Sequence, residues 1–161
     1  MADSIAQNEN VTIKTGTIKD MYFIFEIDGE DYGVEVAYVK EIVPIGIKKI
    51  TKVPHLPNYI EGIVNLRGDI IGVLSVRKRF GKESKEYDEK TCIIVLDLSQ
   101  LNLGLLGLIV DSVNAAYTIP HEDISAPPSA KLNNHNQFIR NIGRTVDGVK
   151  LLIDLEKFLE Q

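Results

Sequence analysis

The chain has 161 residues, of which 44% are hydrophobic and 25% charged, a composition typical of a folded globular protein. A formal net charge of −5 argues against a nucleic-acid-binding surface, because neutralising phosphates requires clustered Lys and Arg. A single cysteine, Cys92, excludes a disulfide framework, and no apolar run reaches the roughly 18 residues of a membrane span. With no secretory signal visible, these features predict a cytoplasmic protein, and its abundant Ile and Val residues favour β structure.

The first predicted element is a β-hairpin that follows a polar segment. Residues 1–19 are unpatterned, and we expect them to form a flexible tail. From Met21 onward, apolar and polar residues alternate, which predicts a strand. Asp28 and Gly29 then form a turn, and residues 32–34 return as the second strand.

The rest of the first half reads as a crossover, a strand and a second hairpin. Apolar residues at three- and four-residue spacing over 36–43 indicate a short helix or a bent segment. A strand is predicted over 47–53, where prolines end it. Residues 62–74 look like two β segments joined by a turn at Gly68 and Asp69.

The second half repeats this order of elements and ends in a helix. In chain order we predict a solvated charged loop over 82–90, strands over 92–98 and 103–110, a loop over 125–137, and a hairpin over 138–153 that turns at Asp147 and Gly148. The last residues, Asp154 to Leu159, suit a short helix with Asp154 as its N-cap.

Matching positions in the two halves indicate an internal repeat. One constant offset places Gly33, Val36, Val39, Ile50 and Pro54 on Gly107, Val110, Val113, Ile124 and Pro128. A second, slightly longer offset places Tyr59, Ile60, Ile63, Val76 and Phe80 on Phe138, Ile139, Ile142, Leu155 and Leu159. Each half then holds about five short strands, and closing each set into a barrel removes exposed sheet edges. We therefore predict an all-β fold of two pseudo-symmetric five-stranded barrels packed side by side, with a short C-terminal helix.

The sequence offers no catalytic or metal-binding constellation. His55, His121 and His135 fall in predicted loops and are not at metal-ligand spacing. Cys92 opens an apolar strand, where it acts as a small buried hydrophobe. The run from Gly104 to Gly107 lacks the lysine and hydroxyl of a phosphate-binding loop. We therefore expect neither enzymatic activity nor a cofactor.

Two charged residues stand among otherwise apolar β segments. Arg67 lies at a predicted tight turn, and Glu41 lies at the end of the amphipathic crossover. They could form a positioned pair on a recognition surface, since a guanidinium can meet a carboxylate with two hydrogen bonds. They could also be two ordinary solvated charges, and the residue types alone favour this simpler interpretation.

Several stretches together resemble the CheW family. They are Tyr32-Gly33-Val34, Val39-Lys40-Glu41-Ile42, Ile60 to Gly68, Gly107 to Val113, Ile119 to Ile124, and the closing Leu151 to Leu159. The resemblance covers about 21–159, and its most specific part is Gly-Ile-Val-Asn-Leu-Arg-Gly from Gly62 to Gly68.

The resemblance implies two SH3-like barrels and a non-enzymatic adaptor in bacterial chemotaxis. Such an adaptor couples transmembrane chemoreceptors to the histidine kinase CheA. One barrel would pair with the kinase's regulatory domain, and a hydrophobic groove between the barrels would accept the receptor's cytoplasmic tip. The protein would be cytoplasmic, recruited to membrane-bound receptor clusters without inserting into the membrane. Partner binding is thereby assigned to Val36, Val39, Glu41, Gly62, Asn65, Arg67 and Val113.

The expected organisation is a tail over 1–19 followed by one CheW-like domain over 20–161. Within that domain we expect a first half over 20–82, a second half over 91–153 and a helix over 154–161, an arrangement that allows strands to be exchanged between the halves. Three alternatives remain open: a CheW-like scaffold of another receptor–kinase pathway serving motility or development, a detached regulatory module of a kinase, and a small-barrel nucleic-acid binder.

Two residues depart from what the family commonly carries. Gly72 stands where proline is usual, and Ser75 replaces the aspartate before the Leu-Arg pair. Gly72 should make its strand more flexible, whereas Ser75 can still cap the following turn.

Overall fold

The computed structural model describes residues 18–47, 49–127 and 137–160, and the described part forms two β-sheets with two short helices. The strands are β1 (Met21–Ile27), β2 (Glu30–Glu35), β3 (Val39–Pro44), β4 (Ile60–Leu66), β5 (Asp69–Ser75), β6 (Cys92–Asp97), β7 (Leu105–Val110), β8 (Ser112–Thr118), β9 (Ile124–Ser125), β10 (Ile139–Thr145) and β11 (Gly148–Ile153). Helix α1 (Val76–Arg79) follows β5, and helix α2 (Leu155–Leu159) follows β11.

Each sheet combines strands from both halves of the chain. The first sheet has the order β9-β10-β11-β2-β1-β8, and the second has the order β3-β6-β7-β5-β4. Neighbouring strands are antiparallel except for one pair in each sheet, β11 with β2 and β5 with β7. The β1–β2 hairpin therefore lies beside strands of the second half, and the β6–β7 hairpin lies beside strands of the first half.

The strand register confirms the pseudo-symmetry predicted from the sequence. In the first sheet Gly33 of β2 pairs with Leu152 of β11, and in the second sheet Gly107 of β7 pairs with Val73 of β5. The two pairs are related by the same two offsets that relate the sequences of the halves. The bridge of Thr51 to Ile63 likewise matches the pairing of Ser125 with Ile142.

Side-chain contacts connect distant strands of each sheet. Glu41 on edge strand β3 forms an ion pair with Arg67, which follows the opposite edge strand, β4. In the first sheet Tyr117 on edge strand β8 donates a hydrogen bond of 2.5 Å to Asp147 in the turn between β10 and β11. Each sheet is therefore curled into a small barrel, and the fold is the expected pair of SH3-like barrels, with six strands in the first sheet, where the two-residue β9 is included, and the expected five in the second.

The main hydrophobic core lies between the two sheets and the helices. Its largest side chains are five aromatic residues in ring contact, namely Phe25, Tyr32, Phe80, Phe138 and Phe158. A second cluster fills the second barrel and includes Ile71. The matched position of the first barrel holds Lys150, which is buried and pairs with Asp31 at 2.6 Å.

Both helices begin at the N-caps that the sequence predicts. The side chain of Ser75 accepts a hydrogen bond from the backbone N–H of Lys78 at 3.2 Å, and Asp154 accepts one from Lys157 at 3.3 Å. An N-cap side chain satisfies a backbone donor that the first helical turn leaves without a partner. Ser75 therefore takes the capping role expected of it.

Several predicted elements differ from the structure. The crossover over 36–43 is a 3₁₀ turn, Val36–Tyr38, followed by strand β3, and a bulge between Val39 and Glu41 interrupts the alternation that would have identified the strand. The strand predicted over 47–53 is wrong, since its described residues contribute only the single bridge at Thr51.

Other differences concern turns and residues outside the described ranges. Strand β8 had no predicted counterpart, and the turns of β4–β5 and β10–β11 begin one residue earlier than expected. Most of the predicted tail (1–17) and most of the predicted loop (128–136) lie outside the described residues.

Candidate functional site

The turn between β4 and β5 presents Arg67 to solvent. Leu66 pairs with Asp69, so that Arg67 and Gly68 form a two-residue turn with φ angles of 52° and 91°. Two positive φ angles are typical of the type I′ turn, whose twist matches that of the flanking strands. Asn65 stabilises the turn by accepting a hydrogen bond of 3.0 Å from the backbone N–H of Gly68. The local sequence therefore fixes the backbone that carries the guanidinium.

Glu41 holds the Arg67 side chain across the seam of the second barrel, by which we mean the gap between its edge strands β3 and β4. Arg67 Nη1 lies 2.5 Å from Glu41 Oε2, with side-chain exposures of 74% for Arg67 and 22% for Glu41. The hydrogen bond to Glu41 and its negative charge raise the pKa of the Arg67 guanidinium. Exposed pairs of this kind add little to stability because water screens them. Their value lies in presenting two opposite charges in a fixed arrangement.

Gly62 is required by the close passage of another segment over β4. Its φ is +146°, and a Cβ built there would overlap the backbone carbonyl of Thr51. Thr51 and Ile63 exchange two backbone hydrogen bonds, of 2.9 and 2.8 Å, at this crossing. Gly62 therefore holds the segment before β4 against the strand that leads to Arg67.

The three valines predicted to bind partners lie along the boundary between the barrels. Val39 begins β3, and Val113 lies at the matched position near the start of β8. Both are half-buried and pack against the main core from opposite sheets. Val36 is half-buried in the 3₁₀ turn before β3. The structure thus brings Glu41, Asn65 and Arg67 together at the second barrel, whereas Val113 belongs to the first sheet.

The structure also contains an apolar hollow that the sequence interpretation did not locate. Its volume is about 180 Å³, and it is lined by Tyr59, Ile60, Leu74, Leu98, Leu103, Leu106 and Leu159. Five of its seven lining residues are leucines. The only signal in the sequence was the leucine-rich run around Leu103 together with the apolar face of α2.

Pseudo-symmetry explains why this hollow is empty. The matched positions of Leu106, Leu159 and Tyr59 carry Tyr32, Phe80 and Phe138, which are buried in the main core. Aromatic rings at all three positions fill the space on one side of the junction, whereas Leu106 and Leu159 replace two of these rings on the other side and leave it open. Apolar concave sites of this kind accept hydrophobic side chains of a partner.

Within the described ranges, the histidines and the cysteine show no catalytic arrangement. Among the described residues, no group of three or more His, Cys, Asp and Glu side chains could hold a metal ion. His55 and His121 are exposed, and His135 lies outside the described residues. Cys92 is half-buried, and burial raises the pKa of its thiol, which lowers its reactivity.

The helices of the described part are short. None of them is long and apolar enough to cross a membrane.

Comparison with known proteins identifies the family. The family model described as CheW-like domain matches residues 21–161. Chemotaxis protein CheW of Klebsiella aerogenes is 29% identical over 143 residues, covering 89% of this chain and 83% of that protein. Chemotaxis protein CheW of Helicobacter pylori is 30% identical over 138 residues, covering 85% of this chain and 79% of that protein.

A solved structure supports the same assignment. The crystal structure of scaffolding protein TtCheW from Thermoanaerobacter tengcongensis matches with a TM-score of 0.75 and 33% identity, covering 88% of this chain and 93% of that chain. The match of the family model, the identity with the two relatives and the shared double-barrel architecture agree, and the chain belongs to the CheW family of chemotaxis proteins.

Proposed function

We propose that this protein is a non-enzymatic adaptor that couples transmembrane chemoreceptors to the histidine kinase CheA. It works in the cytoplasm, is recruited to receptor clusters through its partners, and needs no cofactor. The observation that carries this proposal is the charge pair of Glu41 and Arg67, an exposed guanidinium fixed by a tight turn on a family adaptor scaffold. Charges placed in this way select a partner and fix its register more than they add affinity.

The apolar hollow supplies the complementary part of the proposed binding surface. Helical hairpins such as a receptor's cytoplasmic tip present apolar side chains at regular spacing, and a hydrophobic groove between two barrels can take them up. Val36, Val39, Gly62 and Val113 belong to the recognition region in this proposal. Two partners can then contact one adaptor at once, so a conformational change in the receptor reaches the kinase.

Arg67→Glu tests the proposed role of the charge pair. In a reconstituted phosphorylation assay with a receptor fragment and CheA, we expect this variant to lose receptor-dependent kinase control, because it places two like charges at the seam. Its fold should be intact, since the side chain is exposed. Arg144→Glu is the matched control, because Arg144 is an exposed arginine of the equivalent hairpin in the first barrel.

A charge swap distinguishes two roles of the pair: either Glu41 only positions the Arg67 charge for a partner, or the ion pair itself is what matters. If Glu41 only positions Arg67, the double variant Glu41→Arg/Arg67→Glu still fails to couple, because the charge that meets the partner is reversed. Normal coupling by Arg67→Glu would contradict the proposed role of this residue. No kinase control by the wild-type protein, with co-sedimentation of a different receptor and kinase, would instead indicate a scaffold of another pathway.

A further inference from the structure

Helix α1 carries three consecutive basic residues that make different contacts. Arg77 Nη1 lies 2.6 Å from Asp111 Oδ2, and its Nη2 lies 3.3 Å from Asp28 Oδ1. Its Nε donates to the carbonyl of Glu83 at 2.8 Å. Asp111 Oδ2 also accepts the backbone N–H of Asp28 at 2.8 Å, so this carboxylate oxygen joins Arg77 to the backbone of the β1–β2 turn.

The contacts of Arg77 join the two barrels. Arg77 follows β5 of the second sheet, whereas Asp28 lies in the turn between β1 and β2 of the first sheet. Asp111 is the single residue between β7 of the second sheet and β8 of the first. Side-chain exposures of 15% for Arg77 and 12% for Asp111 mean that water screens this pair only weakly.

Arg79 makes a second contact from the same helix to the other barrel. Its Nε donates to the carbonyl of Phe158 in α2 at 2.7 Å, and its Nη2 donates to the carbonyl of Glu160. The guanidinium carbon lies 4.5 Å from the ring centroid of Tyr59 and 4.7 Å from that of Phe138. The two rings and the carbonyl acceptors together restrict the orientation of this guanidinium.

The middle residue, Lys78, forms its ion pair within its own barrel. Its Nζ lies 2.8 Å from Glu61 Oε2 on β4, and β4 belongs to the same sheet as β5. Arg77 and Arg79 therefore contact the first barrel, whereas the ion pair of Lys78 stays within the second.

The pseudo-symmetric helix α2 cannot make equivalent contacts. The longer of the two repeat offsets places Glu156 at the position of Arg77 and Phe158 at the position of Arg79. The residue matched to Asp111 by the shorter offset is Ala37. The arginine contacts between the barrels are therefore made by α1, and Lys82, just after this helix, adds an ion pair with Asp28 at 3.6 Å. The apolar hollow lies at the pseudo-symmetric counterpart of α1, where Leu159 of α2 lines it.

We propose that Arg77 and Arg79 are positioning residues that fix the orientation of the two barrels from the α1 side. The core between the barrels is held by apolar contacts, and the hydrophobic effect that drives them is not directional. Hydrogen-bonded guanidinium groups are directional and restrain this orientation. One partner's contact with one barrel then displaces the other barrel as a rigid body. This last step, and only this step, rests on the proposed adaptor function.

Distances between spin labels test the orientation without any partner. Labels at Ile70→Cys and Val146→Cys, both exposed and on different barrels, in a Cys92→Ser background report the separation by pulsed electron paramagnetic resonance. Arg77→Met and Arg79→Met should each broaden the distance distribution and shift its mean, and the double variant should do so most. Lys78→Met is the matched control and should keep the wild-type distribution.

The outcomes separate positioning from general stability. Wild-type distances in a folded Arg77→Met/Arg79→Met double variant would overturn the proposal, and so would an equal shift in Lys78→Met. If the double variant does not unfold cooperatively, the single variants and Arg77→Lys decide in the same way. Kinase control measured on the same variants should fall for Arg77→Met and persist for Lys78→Met. Altered distances with normal kinase control would uphold the positioning role and contradict the rigid-body step.

Discussion

A buried lysine distinguishes the interior of the first barrel from that of the second. Lys150 occupies the position matched to Ile71, and both side chains are almost fully buried. Burial lowers the pKa of Lys150, but the hydrogen bond and negative charge of Asp31 outweigh it and raise the pKa overall. The ammonium also lies 5.3 Å from the ring centroid of Tyr117 on edge strand β8. The two barrels therefore have the same backbone fold but different interiors at this position. The second barrel has an apolar side chain there, and the first has an ammonium group in contact with Asp31 and Tyr117.

The pKa of Asp28 depends mainly on the contact with Arg77, with a smaller contribution from Lys82. The positive charge of Arg77 lowers the pKa of the Asp28 carboxyl. A carboxyl with a lowered pKa in the folded state stabilises the fold above its unfolded pKa of about 4, and this contribution is lost as the pH falls through the lower, folded-state pKa. We expect the pKa of Asp28 to rise in Arg77→Met, as measured by carbon NMR of the carboxyl group.

Asp97 is the control for that titration. Hydrogen bonds from Ser99 lower its pKa, and Ser99 is a neighbour in sequence that the Arg77 substitution does not touch. An unchanged Asp28 pKa in the variant, or an equal change at Asp97, would contradict a specific contact between Arg77 and Asp28.

Among the secondary-structure elements, the hairpins were predictable, and the edge strands β3 and β8 were not. Apolar residues interrupted by turn signals at Asp28-Gly29 and Gly68-Asp69 identify β1–β2 and, to within one residue, β4–β5, because the signal is local in the sequence. Strand β3 carries a bulge, and β8 exposes Asn114, Ala115 and Ala116, which have no strong strand preference. The pairing of these edge strands with β6 and β1 depends on contacts far apart in sequence.

Filling the hollow beside α2 tests its place in partner binding. Leu159→Phe supplies the ring that its matched residue, Phe80, provides on the other side. Cavity filling commonly raises the free energy of unfolding by about 0.5–2 kcal/mol, which urea denaturation measures. The same variant should bind a receptor fragment less well, because the space is then occupied. Val149→Phe, at an exposed position, is the control.

Two results would contradict this prediction. A folded, stabilised Leu159→Phe protein with wild-type receptor binding would show that the hollow is not part of the binding surface. A destabilised variant would show that the hollow cannot accommodate a ring, as overpacking typically costs stability.

At the scale of the molecule, the sequence predicted the repeat and the two barrels but not which strands each barrel contains. The matched glycines Gly33 and Gly107 revealed the pseudo-symmetry, because each leaves room for the side chains packed over it. The charge pair of Glu41 and Arg67 was one of two possible interpretations, since residue types do not reveal which edges meet. The partner-binding roles of the seven assigned residues stay predictions, as do the boundaries of the halves at 20–82 and 91–153.

The exchanged hairpins give these boundaries a clear experimental consequence. Neither half contains all the strands of one barrel, so each half alone should fail to fold. Separately expressed fragments 1–82 and 91–161, mixed or co-expressed, should instead assemble into a complex with the circular dichroism spectrum of the intact protein. Independent folding of either fragment by itself would contradict the exchange.

The same strand exchange also determines how the protein responds to proteolysis and heating. The β1–β2 and β6–β7 hairpins each pair with strands of the opposite half. A protease cut in the exposed loop between α1 and β6 should therefore leave the two fragments associated, with the sedimentation coefficient of the intact protein. On heating, both barrels should unfold in a single transition, since neither barrel is complete without the hairpin that the other half contributes. Strand exchange thus holds the two barrels together, and cleavage of the connecting loop does not separate them.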